Sequence, residues 1–119
     1  MQSKDLRIRT KKFALDIVLF CRNLPADREG MVIGGQLLRA GTSVAANYRA
    51  ARRARSKREF LAKLGIVEEK ADEALFWLEL LEAMDISKTD SLAKLKAEGE
   101  EILSIIVASI KTARKKTSG

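Results

Sequence analysis

The chain contains no histidine. That removes the commonest metal ligand and the commonest proton shuttle near neutral pH. It also removes the Glu-x-x-His ligation of di-iron helical bundles. A lone cysteine, Cys21, excludes an intramolecular disulfide and suits a reducing compartment. One proline and six aromatics (four Phe, one Trp, one Tyr) leave little of the usual material of sheets, whereas Ala, Leu, Glu, Lys and Arg abound. No apolar run approaches the about 20 residues of a membrane span. "FALDIVLF" is broken by Asp16 and precedes no small-residue cleavage site, and "ILSIIVASI" is far too short. Gly34-Gly35 has neither the spacing nor the following Lys-Ser/Thr of a phosphate loop. The expectation is a cytoplasmic protein that is not an enzyme, has no cofactor and no metal, and does not engage a membrane.

What is present is charge, unevenly placed. The 119 residues carry a net +7, but residues 1–12 contribute +4, 39–63 contribute +7, 64–86 contribute −6 and 102–119 contribute +4; 13–38 and 87–101 contribute −1 each. Such segregation points to a polyanionic partner, or to basic and acidic faces that pair with one another.

Four helical patterns are legible, in a single domain spanning 1–119. Phe13, Ile17, Phe20 and Leu24 recur at four, three and four residues, and Pro25 ends the run. Asp27 is placed to cap a second helix, whose apolar side carries Leu37, Leu38, Gly41, Val44, Ala45 and Tyr48. Gly41 and Ala45 invite a close helix approach. Ser56 with Glu59 has the form of a capping box and opens the third helix. There Phe60, Leu64, Val67, Ala71, Ala74, Leu78 and Leu81 alternate four- and three-residue steps, a bundle seam. After a break near 87–91, with Ser87 or Asp90 as cap, the fourth helix uses Leu92, Leu95, Gly99, Ile102, Ile106 and Ser109. From Lys111 to the end the sequence reads as a basic, frayed tail. An all-α, antiparallel up-down four-helix bundle is the simplest solution. Second apolar strips (Leu61, Leu75 and Trp77 on the third helix, Leu103, Val107 and Ile110 on the fourth) predict self-association.

Chemistry concentrates in "AANYRAARRARSKREF", residues 45–60. Arg39, Thr42, Ala46, Arg49 and Arg53 form one stripe, Arg52 lies on the Tyr48 side, and Arg55, Lys57 and Arg58 crowd the helix junction. Cations at the end of the second helix suit its dipole, but those opening the third oppose theirs. Arg39, Arg49, Arg52, Arg53, Arg55, Lys57 and Arg58 are therefore the candidate nucleic-acid contacts, acting on phosphates. Tyr48 is assigned to the core, which leaves no aromatic for base stacking. Ser43 and Asn47, four apart beside the apolar strip, predict an interhelical polar network. The acidic "EEKADEA" (Glu68, Glu69, Asp72, Glu73) reads as a solvated face, and Cys21 as a structural thiol.

The stretch "QLLRAGTSVAANYRAARRARSKREFLAKLGIVEEKADEALFWLELLEA", Gln36 to Ala83, resembles the 23S rRNA intervening-sequence protein family. Ser43 with Asn47, the "RARS" ending in Ser56, Glu59-Phe60 and the acidic approach to Trp77 carry the likeness. The resemblance implies an antiparallel four-helix bundle assembled as a homopentameric ring. It also brings in relatives that serve diversity-generating retroelements as basic, RNA-binding partners of a reverse transcriptase. Family members commonly place a Glu three residues after the asparagine; Ala50 stands there here, which leaves this stretch more basic. The expected function is a homo-oligomer binding RNA or another polyanion with low sequence specificity. The alternative is a protein-interaction scaffold or accessory subunit, meeting an acidic protein or a reverse transcriptase.

Overall fold

Four α-helices follow one another: α1 Ser3–Arg22, α2 Arg28–Arg52, α3 Lys57–Ala83 and α4 Asp90–Ser118. The computed structural model describes the backbone of residues 3–85 and 90–118 and the side chains of 6–85 and 90–115; no strand occurs among them. Each helix packs on its predecessor, α4 closes on α1, and the diagonal pairs do not meet. Short connections force neighbours to run antiparallel, giving the up-down bundle, drawn out to 52 × 21 × 20 Å.

Local chemistry sets the helix ends. Asp27 caps α2, its Oδ1 accepting from the Gly30 N–H at 2.8 Å. Ser56 caps α3 and accepts from the Glu59 N–H at 3.0 Å, while the Glu59 carboxylate accepts from the Arg55 N–H at 3.2 Å. The return bond thus falls one residue before the cap rather than on it. Asp90, expected as a cap, is instead the first helical residue of α4, and Ser87 lies outside the described residues. After α3, Asp85 adopts φ 62°, the left-handed conformation that commonly terminates helices.

The seams read from the sequence are largely buried, with Leu24, Phe60 and Ser109 partly exposed, and α1's reaches further back than expected. Leu6 and Thr10 continue the Phe13–Ile17–Phe20 spacing into the basic N-terminal segment, both 1% exposed. A threonine is tolerated there because its hydroxyl donates to the Leu6 carbonyl at 2.7 Å. At the other terminus, the segment expected to fray from Lys111 is helical through Ser118, since Ile110 and Ala113 extend the buried seam of α4.

The spare apolar surface lies elsewhere than expected. Leu75 and Ile110 are buried, and Leu61, Trp77 and Leu103 pack partly buried against the core. The exposed large apolar side chains are instead Ile8, Leu15 and Leu19 on α1, Met31, Val32 and Leu38 on α2, and Phe76 on α3. Ile8, Leu15 and Leu19 fall within about 40° of one another, opposite α1's buried seam. Leu38, expected on the core side of α2, is displaced outward because Leu37 and Gly41 take the inward positions.

Two glycines show how backbone approach shapes α2. A Cβ on Gly41 would sit 3.0 Å from two carbons of Ile17, so α1 nests against α2 where that side chain is missing. A Cβ on Gly30 would strike the Pro25 carbonyl oxygen and crowd the Asp27 carboxylate that caps the same helix. Gly35 faces open space. Gly35→Ala should therefore stabilise by about 0.8–1 kcal/mol through helix propensity alone. Gly30→Ala, with the same propensity gain, should lose about 1–3 kcal/mol by overpacking against backbone that cannot rotate away. Thermal unfolding would separate the pair, with Tm rising by about 4 °C in the first and falling in the second.

Candidate nucleic-acid interface

Up-down connectivity brings the N-terminal half of α1, the C-terminal half of α2, the N-terminal half of α3 and the C-terminal half of α4 to one end of the bundle. Among the described side chains, residues 6–12, 41–70 and 105–115 hold fifteen Lys and Arg against three Asp and Glu, a net +12. Residues 13–40, 71–85 and 90–104 hold five against twelve, a net −7. Charge that alternates along the sequence thus becomes a basic pole and an acidic pole.

Within the basic pole, α1 and α2 bound an open cleft of about 530 Å³. Arg7 and Lys11 line it from α1; Arg49, Arg52 and Arg53 line it from α2, with Thr42 and Tyr48. No Asp or Glu among the described residues lines it. Tyr48 is buried and hydrogen-bonded by Arg52. Burial pushes its phenol above the ordinary value, opposed by the charges of Arg52 and Arg7. The Thr42 hydroxyl donates to the Leu38 carbonyl at 2.8 Å, so the cations are the cleft's principal outward donors. Arg7, Lys11, Arg49 and Arg53 make no ion pair among the described residues.

A larger cleft, about 620 Å³ between α1 and α4, has the opposite character. Its walls carry Lys12, Lys94, Asp16 and Glu98 over Phe13 and Phe20. Lys12 pairs with Asp16 at 2.8 Å, and Arg9 clamps Glu98 through two bonds of 2.9 and 2.7 Å. Lys12, Asp16 and Glu98 are thus already answered.

The structure divides the residues singled out from the sequence. Arg49, Arg52 and Arg53 share the cleft, whereas Arg55, Lys57 and Arg58 are exposed on the neighbouring α2–α3 turn and first turn of α3. Arg39 is exposed but stands ten residues before Arg49, about 15 Å away along the helix, and does not line the cleft. Arg7 and Lys11, which the sequence reading does not single out, also line the cleft. The net +4 of residues 1–12 was their signal, and only the α1–α2 pairing turns it into a location. Asn47 donates to the Ser43 backbone carbonyl at 3.0 Å, within α2. Among the described hydrogen bonds, the expected interhelical network is thus a local i,i+4 bond, because that spacing puts the amide beside its own helix's carbonyl.

No group of three or more described His, Cys, Asp or Glu residues is arranged to hold a metal. Glu73 accepts from Lys70 at 3.4 Å and from the Trp77 indole at 3.2 Å, while Glu68, Glu69 and Asp72 are exposed. Burial pushes the Cys21 thiol up to about 11, and its Sγ lies 3.6 Å from the Gly34 carbonyl oxygen. It is a poor nucleophile at neutral pH. Its unfolded counterpart ionises from about pH 9, so the stabilisation present below that pH is lost as pH rises towards 11. Tyr48, also raised, acts in the same direction above its ordinary 10.0. Urea midpoints measured from pH 8 to 11 should fall, and Cys21→Ala should remove the part of the fall that begins near pH 9.

Fold and surface define an all-α, up-down four-helix-bundle protein with one basic pole and no membrane-length apolar helix among the described residues. The profile of the 23S rRNA-intervening sequence protein matches residues 4–108, and the chain belongs to that family. It is similar to a crystal structure of a protein of unknown function from the S23 ribosomal protein family of Bacteroides thetaiotaomicron VPI-5482. The two are 31% identical with a TM-score of 0.86, over 93% of this chain and 99% of the other. No curated protein matches. Neither similarity carries an enzymatic description.

Proposed function

We propose that this protein is a non-enzymatic, self-associating bundle whose basic pole binds RNA or another polyanion with low sequence specificity. The observation that carries this reading is the set of unanswered cations at that pole: Arg49, Arg53, Lys57 and Arg58 lack ion pairs among the described residues. Helix-dipole complementarity accounts for cations ending α2 but opposes those opening α3. Arg49 and Arg53 repel at i,i+4 by about 0.2–0.5 kcal/mol, a cost that an external anion offsets. Tyr48 is covered, so phosphates rather than bases are the recognised feature.

Assembly follows from the exposed apolar residues of α1 and α2, and the family resemblance supplies the pentameric ring. A ring would repeat the pole once per subunit, so weak contacts add through multivalency. Light scattering coupled to size exclusion should give several times 13.2 kDa. Leu15→Glu with Leu38→Glu should lower that mass at unchanged helicity; a monomeric wild type would discard self-association.

A second reading has its own observation. Phe76, 53% exposed, meets Trp77 edge-to-face at 4.9 Å on the acidic side of α3. That surface suits a protein, and makes the chain an accessory subunit, for example of a reverse transcriptase, without a nucleic-acid role. Fluorescence anisotropy with labelled single-stranded RNA separates the two. The polyanion reading expects affinity to fall with salt, each phosphate contact adding about −0.7 to the log–log slope. Arg49→Glu with Arg53→Glu should abolish binding at unchanged helicity. Absence of binding by the wild type at about 50 mM salt leaves the accessory role standing.

A further inference from the structure

We propose that the cleft between α1 and α2 is a phosphate clamp with two walls, in which Arg7 and Lys11 of α1 act together with Arg49 and Arg53 of α2 on a single phosphate group. Its biological ligand rests on the polyanion reading: the phosphodiester backbone of single-stranded RNA. Its chemistry, recognition of a phosphate oxyanion, does not depend on that reading.

The argument starts from spacing. Arg7 and Lys11 are four residues apart on α1, and Arg49 in the last turn of α2 is four residues before Arg53, that helix's C-cap. Each pair therefore projects two like charges from one helix face. Antiparallel packing sets the two pairs on opposite sides of one cleft of about 530 Å³ with no carboxylate among its described lining residues. Four cations held this way repel along each helix and across the gap. None is relieved by an ion pair among the described residues. The acids of this protein do pair with cations elsewhere, as Arg9–Glu98, Lys12–Asp16 and Lys96–Glu82 show, at 2.7–2.8 Å. The clamp is distinguished by the absence of such a partner, and a tetrahedral oxyanion supplies one acceptor oxygen for each wall and more.

The base of the cleft is built rather than merely exposed. Arg52 is held by its hydrogen bond to Tyr48, which is 3% exposed and fixed in the core. Arg7 is close enough for its charge to act on the same phenol. The two walls therefore converge on one buried side chain. The volume accommodates a phosphate with its sugar, and no exposed aromatic lines the cleft to stack a base. A ligand engaged here is gripped by its backbone, whatever its sequence.

Tyr48 is the chain's single tyrosine, so labelling tyrosine with ¹³C at Cζ yields one NMR signal, placed at the cleft. Inorganic pyrophosphate titrated into the full-length protein should shift that signal saturably. Arg7→Gln with Lys11→Gln should weaken the titration about tenfold or more, the worth of one lost charge-assisted contact. Arg49→Gln with Arg53→Gln, on the opposite wall, should do the same. Glutamine keeps helix propensity while removing the charge, and circular dichroism checks the fold of each pair. In parallel, Arg7→Gln with Lys11→Gln should make the log–log salt slope of single-stranded RNA binding shallower by about 1.4, two contacts at about 0.7 each. A Tyr48 signal indifferent to pyrophosphate overturns the clamp. So does RNA binding that is lost in Lys57→Gln with Arg58→Gln but unchanged in slope when Arg7 and Lys11 are replaced; that result leaves the polyanion reading intact. A pyrophosphate response without any RNA binding keeps the clamp and removes RNA as its ligand.

Discussion

Holding like charges together at one end of a narrow rod costs free energy, and this bundle accepts that cost by its topology. Four helices with short links must alternate in direction. The basic ends of α1 and α4 then join the basic α2–α3 junction, and the acidic end of α3 lies at the far pole. The core tolerates the repulsion because it is continuous: Leu6, Phe13, Ile17, Leu37, Val44, Leu64, Val67, Leu78, Ile102 and Ile106 are each no more than 1% exposed. The seams run under the charged pole to Leu6, Ala51 and Ala113, so burial secures the helix ends that electrostatics pushes apart.

Ion pairs occupy the region where the poles meet and the acidic half beyond it. Arg9 of α1 reaches Glu98 of α4, and Lys96 of α4 reaches Glu82 of α3. The more exposed single-bond pair, Lys96–Glu82, contributes little to stability, about 0–1 kcal/mol, whereas the Arg9–Glu98 pair is bidentate and part-buried. Arg9–Glu98, with Lys12–Asp16, does answer the acids of the α1–α4 cleft, whereas Arg7, Lys11, Arg49 and Arg53 of the α1–α2 cleft make no ion pair among the described residues. This contrast between two clefts flanking the same helix gives the net +7 a local geometry.

Much of the fold was legible because each helix writes its own buried face at a fixed period. The seam from Leu64 to Leu81 and the caps at Asp27 and Ser56 are local features, set by neighbours three and four residues away. Reading failed where a neighbouring helix decides. Thr10 sits in a basic segment until the packed bundle is seen to cover it to 1% exposure, and Lys111 onward resembles a tail until Ile110 and Ala113 are seen covered. Leu38 counts as core by composition, yet α1 presses on Gly41 and leaves Leu38 outside.

The sequence by itself determined four helices, their order, and the charge each segment carries, because these depend on residue type and short-range spacing. It also marked Arg49, Arg52 and Arg53 as basic neighbours on one helix. Only the tertiary structure decided that Arg7 and Lys11, 38 to 46 positions earlier, stand across a cleft from them while Arg39, ten positions before Arg49, does not. A helix fixes distance along its own axis at about 1.5 Å per residue. Which helix lies beside it, and which of its charges meet a partner, is settled only when the cores interlock.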